Sequence, residues 1–257
     1  MKVAWIFYTI AWLTINGYAA KASPQDYSLN VTENTENVDS SRILRSCQQT
    51  IGKDGIYEIA PSGHDAFPVL YNARSEGASW IVIARRSNAN LNFFRNWTDY
   101  KNGFGDLSGD FFIGLDVIHA ITKSGSHELY IELEDFDGNI RYAQYNEFYI
   151  ESEYGLYKMS RLGAYSGTAG DALRYHKGQP FSTYDMDNGP SPENCALRYL
   201  GAWWYNDCHH SNLFAMYFAG EYNDEMFAKG MVWFEWRGML YAFKDMKMMI
   251  RPKSCSC

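Results

Sequence analysis

Residues 194–212 read N-C-A-L-R-Y-L-G-A-W-W-Y-N-D-C-H-H-S-N, with two cysteines thirteen positions apart, two tryptophans, two tyrosines and a histidine pair. No other stretch restricts the fold as strongly. A segment of this composition is a pocket stapled by a disulfide, a metal site on His209 and His210, or a piece of aromatic core. The metal reading is the weakest, because adjacent residues of an extended chain point to opposite sides. Nor does a set of Cys or carboxylate residues stand at ligand spacing around the pair. The chain has neither a Ser-His-Asp order nor a Gly-rich phosphate loop, so no enzymatic activity is expected.

The first 22 residues carry Lys2, an apolar run over 3–13 and small residues at Ala19, Ala20 and Ala22, the layout of a secretory signal peptide. The run is too short to span a bilayer, and no later segment offers about twenty consecutive apolar residues, so a secreted protein without a membrane span is expected. Disulfides persist in that compartment. Five cysteines, Cys47, Cys195, Cys208, Cys255 and Cys257, leave at least one unpaired or bonded to another chain. Asn30-Val31-Thr32 and Asn96-Trp97-Thr98 are glycosylation sequons, which places Asn30 and Asn96 on the surface. With 30 acidic against 23 basic side chains the net charge is -7, which disfavours nucleic acid as a partner. Aromatic residues make up 17% of the chain and suit a loop-rich domain that recognises surfaces with Tyr and Trp.

Residues 23–46 are polar and read as a flexible leader without collagen or heptad repeats. From Cys47 the texture becomes short alternating runs broken by Gly and Asn. Residues 56–59, 79–85 and 128–134 are predicted strands, and Asp137-Gly138 predicts a hairpin turn between 128–134 and 140–148. Short helices are expected over 97–102 and 115–122. After about Gly167 regular signals thin out, and long irregular segments in compact domains are usually functional.

Several spaced motifs occur in one order: Asp54-Gly55-Ile56-Tyr57, Trp80-Ile81-Val82-Ile83-Ala84-Arg85-Arg86, Phe94-Arg95-Asn96-Trp97-Thr98-Asp99-Tyr100 and Gly103-Phe104-Gly105. Asp110-Phe111-Phe112-Ile113-Gly114-Leu115, Leu133-Glu134-Asp135, Ala169-Gly170-Asp171, Phe181-Ser182-Thr183-Tyr184-Asp185 and the stretch from Asn194 to Leu213 follow. Together they resemble the fibrinogen C-terminal domain family, which includes ficolins, tachylectins, angiopoietins and the fibrinogen chains, over residues 47–252; residues 253–257 form a Cys-containing tail. The resemblance implies an α+β fold, with a central twisted antiparallel sheet, short helices and a loop-rich C-terminal binding region. It implies binding rather than catalysis.

The resemblance also implies a Cys195–Cys208 disulfide, to which chain-entropy arguments assign roughly 3 kcal/mol, and a cis peptide between Asp207 and Cys208. Carried over residue by residue, an acetyl pocket is expected from Tyr199, the Asp207-Cys208 peptide, His209, Phe227 and Met239. Phe227 and Met239 stand where lectins of the family often have Tyr, which leaves a greasier cup. Trp203 and Trp204 are assigned to packing beneath the loop. The family pattern D-x-D-N-D, whose second and third aspartates hold calcium with backbone carbonyls, appears here as Asp185-Met186-Asp187-Asn188-Gly189. Asp187 is kept and Gly189 replaces the third carboxylate, so a severely weakened Ca2+ site is expected, with Asp185 and the carbonyls near Ser191 and Glu193 as further donors. The other reading is a turn capped by aspartates.

The family pairs its first cysteine with one at the position of Tyr71. Cys47 is therefore expected to bond Cys255 or Cys257, leaving one thiol for a disulfide-linked homodimer. The resulting expectation is a secreted lectin-like recognition protein for acetylated glycans or related microbial surface groups, made multivalent to gain avidity. The alternative is an interaction protein for a secreted or cell-surface partner, with calcium and sugar binding lost. Phe214-Ala215, in place of the family's Asn-Gly, favours that alternative as an apolar change at a turn.

Overall fold

The computed structural model describes residues 43–44, 54–61, 64–73 and 79–253. The signal peptide, most of the leader, Asn30, Cys47, Cys255 and Cys257 lie outside the described residues, and with them the pairing of the spare cysteines.

Runs of β-branched and aromatic residues separated by Gly, Asn and Asp give many strands and few helices. The first half carries β1 (Ile43–Leu44), β2 (Gly55–Ile59), β3 (Phe67–Ala73), β4 (Ser79–Arg86), α1 (Trp97–Asn102), β5 (Phe104–Gly105), β6 (Phe111–Phe112) and α2 (Leu115–Lys123). Then come the long hairpin β7 (His127–Glu134) and β8 (Ile140–Tyr149), with β9 (Arg161–Leu162) and β10 (Tyr165–Gly167) on its outer edge. The loop-rich part holds α3 (Cys195–Arg198), β11 (Ser211–Asn212), β12 (Gly220–Glu221), β13 (Val232–Trp233), α4 (Phe234–Arg237) and β14 (Tyr241–Ala242) before β15 (Asp245–Pro252). The main sheet runs β1-β2-β3-β4-β15-β7-β8-β10. Only β1 and β2 pair in parallel among these neighbours, through Ile43 opposite Glu58, so strand pairing begins inside the segment read as leader.

The predicted strands, hairpin and helices form within one or two residues of their expected bounds. At the hairpin, Gly138 takes φ 82° and Asp135 accepts bonds from the N–H groups of Asp137 and Asn139. Among the strands of five or more residues, two carry no expectation from sequence, β3 and β15, and β15 lies at the middle of the sheet, paired with β4 and with β7.

Period-two alternation decides which face each side chain takes. Leu129, Ile131 and Leu133 of β7, together with Met246, Met248 and Ile250 of β15, join the main core, all of them fully buried. The opposite face carries an ion-pair ladder across the same strands, Glu128 to Arg251 at 2.6 Å and Glu132 to Lys247 at 3.3 Å. Between these pairs Tyr130 and Met249 join Trp80, Val82 and Phe111 in a second, smaller apolar cluster. Arg251 also lies 4.4 Å over the Trp80 ring.

The α2 helix buries Leu115, Ile118 and Ile121 against the sheet. The loop that precedes α2 approaches so closely that a side chain at Gly103, where φ is 88°, would begin 2.6 Å from the Ile113 carbonyl oxygen. Asn96 caps α1 by accepting the Asp99 N–H at 2.8 Å, and Trp97 and Tyr100 turn inward. Tyr71, at the position where the resemblance implied a cysteine, is buried and packs edge-on against Tyr57, at 5.6 Å. Phe214 and Ala215 do not form an apolar surface at a turn. Both are buried, and Phe214 sits among Phe93, Tyr100, Phe112 and Trp203. Their apolar character is a packing requirement and does not speak for a protein partner. Among the described residues no helix is long and apolar enough to cross a membrane.

A central β15 makes a quantitative prediction. Ile250→Ala should lower unfolding stability by about 2–5 kcal/mol in urea titrations, whereas Ser166→Ala, on the exposed edge strand β10, should change it by less than about 0.5 kcal/mol. Equal effects would contradict the placement of β15.

Candidate ligand-binding site

The loop-rich part hangs on a layer of buried rings. Trp203 and Trp204 are fully buried, 5.3 Å apart and edge to face. Trp204 donates from Nε1 to the Tyr157 carbonyl at 2.8 Å, and its ring meets Phe181 and Phe148. These tryptophans are packing residues, as expected, and they present the segment after them to the surface. Tyr205 is also buried and donates to Asn212 Oδ1 at 3.0 Å, tying the two ends of that segment together.

Cys195, the first residue of α3, and Cys208 form a disulfide with Cα atoms 5.7 Å apart. Asn194 caps α3 by accepting the Leu197 N–H at 2.9 Å. The peptide between Asp207 and Cys208 is cis. After it the chain alternates, and the two neighbouring histidines part. His209 turns into the protein, where Tyr199 packs edge-on against its ring at 4.7 Å and Tyr205 lies 6.0 Å away. His210 stacks face to face on Tyr175, with centroids 4.2 Å apart and planes 7° from parallel. The other neighbours of His210 are Phe234 and the Glu235 carboxylate, the latter at 3.5 Å.

A third histidine, His176, holds the segment from below. Its Nδ1 lies 2.7 Å from the Trp204 carbonyl, while Nε2 lies 3.2 Å from both the His210 and the Ser211 N–H. These partners fix a neutral ring that donates from Nδ1 and accepts at Nε2. Burial pushes the pKa of His176 down to about 3, and that of His209 likewise to about 3. Neither nitrogen of His209 has a hydrogen-bond partner. The Ala228 carbonyl lies close enough to favour the protonated ring a little, without reaching regular hydrogen-bond geometry.

The far wall comes from residues 222–239. Ala228 sits in the left-handed region at φ 62° and donates to the Met239 carbonyl at 3.0 Å, which also accepts from the Tyr222 hydroxyl at 2.7 Å. Phe227, immediately before it, is 51% exposed, and Met239 is half-buried. Thus Tyr199 and His209 meet directly, Ala228 bridges from His209 to Met239, and Phe227 stands at the rim. Ala228 and Tyr175 carry no sequence signal as site residues. Their contacts span 19 and 32 positions, and no local pattern encodes them.

The carboxylates of the calcium-like loop are dispersed. Asp185 and Asp187 are exposed, and Asp185 Oδ1 accepts the Trp97 N–H of α1 at 3.0 Å. Among the described residues no group of three or more His, Cys, Asp or Glu side chains is arranged to hold a metal ion. The sequon residue Asn96 is half-buried, with its Oδ1 engaged as the α1 cap.

Comparison with known proteins places this geometry. Residues 43–253 match the model of the C-terminal globular domain of the fibrinogen beta and gamma chains. Fibrinogen C domain-containing protein 1 of Homo sapiens is 41% identical over 216 residues, covering 82% of this chain and 46% of that protein. Tenascin-R of Mus musculus is 41% identical over 200 residues, covering 77% of this chain and 14% of that protein. The chain therefore spans half or less of the length of these curated relatives. Among solved structures, the fibrinogen-like globe domain of human ANGPTL2 superposes with a TM-score of 0.78 at 38% identity, covering 82% of this chain and 99% of that one. Lamprey fibrin D-dimer, complexed with the peptide ligand Gly-His-Arg-Pro-amide, superposes with a TM-score of 0.77 at 30% identity over 85% of this chain and 76% of that one. On the family match and the shared globe fold, the chain belongs to the family built on the C-terminal globular domain of the fibrinogen beta and gamma chains.

Proposed function

We propose that the domain is an extracellular recognition module that binds acetylated carbohydrates or related acetylated surface groups in the cup around His209. The observation that carries this reading is Tyr199 packed edge-on against His209, with both His209 nitrogens buried and outside regular hydrogen bonds. A methyl group needs an apolar cup of ring faces and edges, and an acetyl carbonyl needs one fixed donor. Tyr199, Tyr205 and the uncharged His209 supply the cup, and the backbone amide of Cys208 supplies the donor. A buried nitrogen without a partner carries a penalty of about 1–3 kcal/mol that a bound polar group can relieve. Phe227 and Met239 offer no hydroxyl to the sugar, so discrimination rests on the acetyl group more than on ring hydroxyls.

A second reading, a protein or peptide partner on the same face, draws on exposed apolar side chains around the cup. Leu197 is 56% exposed, Phe227 51% and Phe234 49%. Aromatic side chains such as Phe227 and Phe234 are enriched at protein interfaces.

Capture on N-acetylglucosamine resin, against the same resin with the amine left free, separates the two readings. Under the acetyl reading the wild type is retained only on the acetylated resin, and His209→Ala and Tyr199→Ala each weaken retention by about tenfold to a hundredfold. Equal retention on both resins, or variants that bind like the wild type, would reject it.

The buried histidines also set a pH dependence. In the unfolded chain a histidine titrates near 6.5, whereas His176 and His209 stay neutral in the folded protein down to about pH 3. Between those values the unfolded state binds more protons, so stability is complete above about pH 6.5 and is lost as pH falls toward 3. The slope reaches about 1.4 kcal/mol per pH unit for each ring. Urea midpoints measured from pH 7 to pH 4 should fall accordingly, and His209→Gln should flatten the slope by about one proton. An unchanged slope in that variant would show that His209 is not held neutral.

A further inference from the structure

We propose that the 175–207 region is a metal-free clasp, in which the hydroxyls of Ser191 and Tyr175 act as positioning groups for the Asp207–Cys208 peptide and make ligand binding independent of calcium. The proposal rests on the acetyl reading for its binding measurement alone.

Several carboxylates of the loop are already engaged in hydrogen bonds or an ion pair. Asp185 Oδ1 accepts both the Trp97 N–H and, at 2.7 Å, the Thr183 hydroxyl, so moving it toward an ion would leave the Trp97 N–H at the start of α1 without its acceptor. Glu193 is paired with Arg198. Asp207 Oδ1 accepts the Ser191 hydroxyl at 2.8 Å. Asp187 alone is left, with a long 3.4 Å bond from the Gly189 N–H. A hard cation that takes roughly six to eight oxygens, several of them charged, does not fit this donor set. Side chains do the organising instead. Asn188 donates from its backbone to Ser182 Oγ at 3.0 Å and from Nδ2 to the Phe181 carbonyl at 2.8 Å, and Asn194 donates from Nδ2 to the Tyr184 carbonyl at 3.1 Å.

The clasp closes on the binding peptide at two atoms of one residue. Ser191 holds the Asp207 carboxylate, and Tyr175 donates its hydroxyl to the Asp207 carbonyl at 2.9 Å. Tyr175 is itself fixed by its stack on His210, on the other side of Cys208 and His209. A hydrogen bond to the carbonyl also polarises the peptide it belongs to, which strengthens the N–H of Cys208 as a donor. Gly189 is not demanded by the backbone: a Cβ there would meet the Tyr205 carbonyl at 3.5 Å, an ordinary contact, so an aspartate can be accommodated.

The test uses the full secreted chain. Its melting temperature should agree within about 1 °C in excess calcium and in chelator, whereas Gly189→Asp should melt several degrees higher in calcium. Ser191→Ala and Tyr175→Phe should each weaken retention on acetylated resin about five- to tenfold, and Ser191→Thr should restore it. Should the wild type not bind the resin, hydrogen exchange decides the clasp separately: amides of residues 206–210 should exchange about tenfold faster in both variants. A calcium-dependent melting rise in the wild type, or variants that neither weaken binding nor speed exchange, would overturn the clasp. Gly189→Asp without a calcium response would overturn the assignment of the loss to that position.

Discussion

The insertion of β15 between β4 and β7 is the constraint on which the remaining architecture depends. Residues 168–244 leave the sheet after β10 and return to its centre, so a long, mostly irregular excursion is anchored at both ends to one rigid layer. An excursion of that length contributes little regular hydrogen bonding of its own. It is held by buried rings, by one disulfide and by side chains that reach backbone groups, with Arg86 an extreme case. That guanidinium is buried, lies 4.3 Å over Phe93 and donates to the Leu213 and Ala215 carbonyls at 2.9 and 2.6 Å. It stitches the end of β4 to the turn that follows the disulfide-closed loop.

The site follows from the same economy. Three histidines fall within one loop and its support, and each has a different fate set by what surrounds it. His176 is satisfied on both nitrogens and serves as a strut. His210 stands half-exposed in a stack with Tyr175. His209 is buried with neither nitrogen in a regular hydrogen bond, the one arrangement of the three that carries a desolvation cost in the folded protein.

Much of this was legible in the chain. Strands such as β7 and β8 announce themselves through β-branched and aromatic alternation around Asp137-Gly138, and the ordered motifs locate Tyr199, the cis peptide and His209. β15 was not legible, because Asp-Met-Lys-Met-Met-Ile-Arg-Pro is rich in methionine, which has no strong strand preference, and its two apolar faces blur the alternation. β3 carries a proline at Pro68 and was hidden for a similar reason. Phe214-Ala215 misled in the opposite direction, since a turn sequence says nothing about whether the turn is covered. Tyr175 and Ala228 could not be found by pattern, because a contact across 32 or 19 positions exists only once the fold does.

The central place of β15 also orders events during synthesis. A sheet whose inner strand is supplied by residues 245–252 stays open, with the edges of β4 and β7 unpaired, until more than 240 residues have left the ribosome. Its two longest-range pairings must then form together, the kind of non-local step that slows folding and leaves apolar edges available to wrong partners. For a chain of this topology, the vulnerable species is therefore the nascent one, and its protection falls to whatever meets it before the final strand arrives.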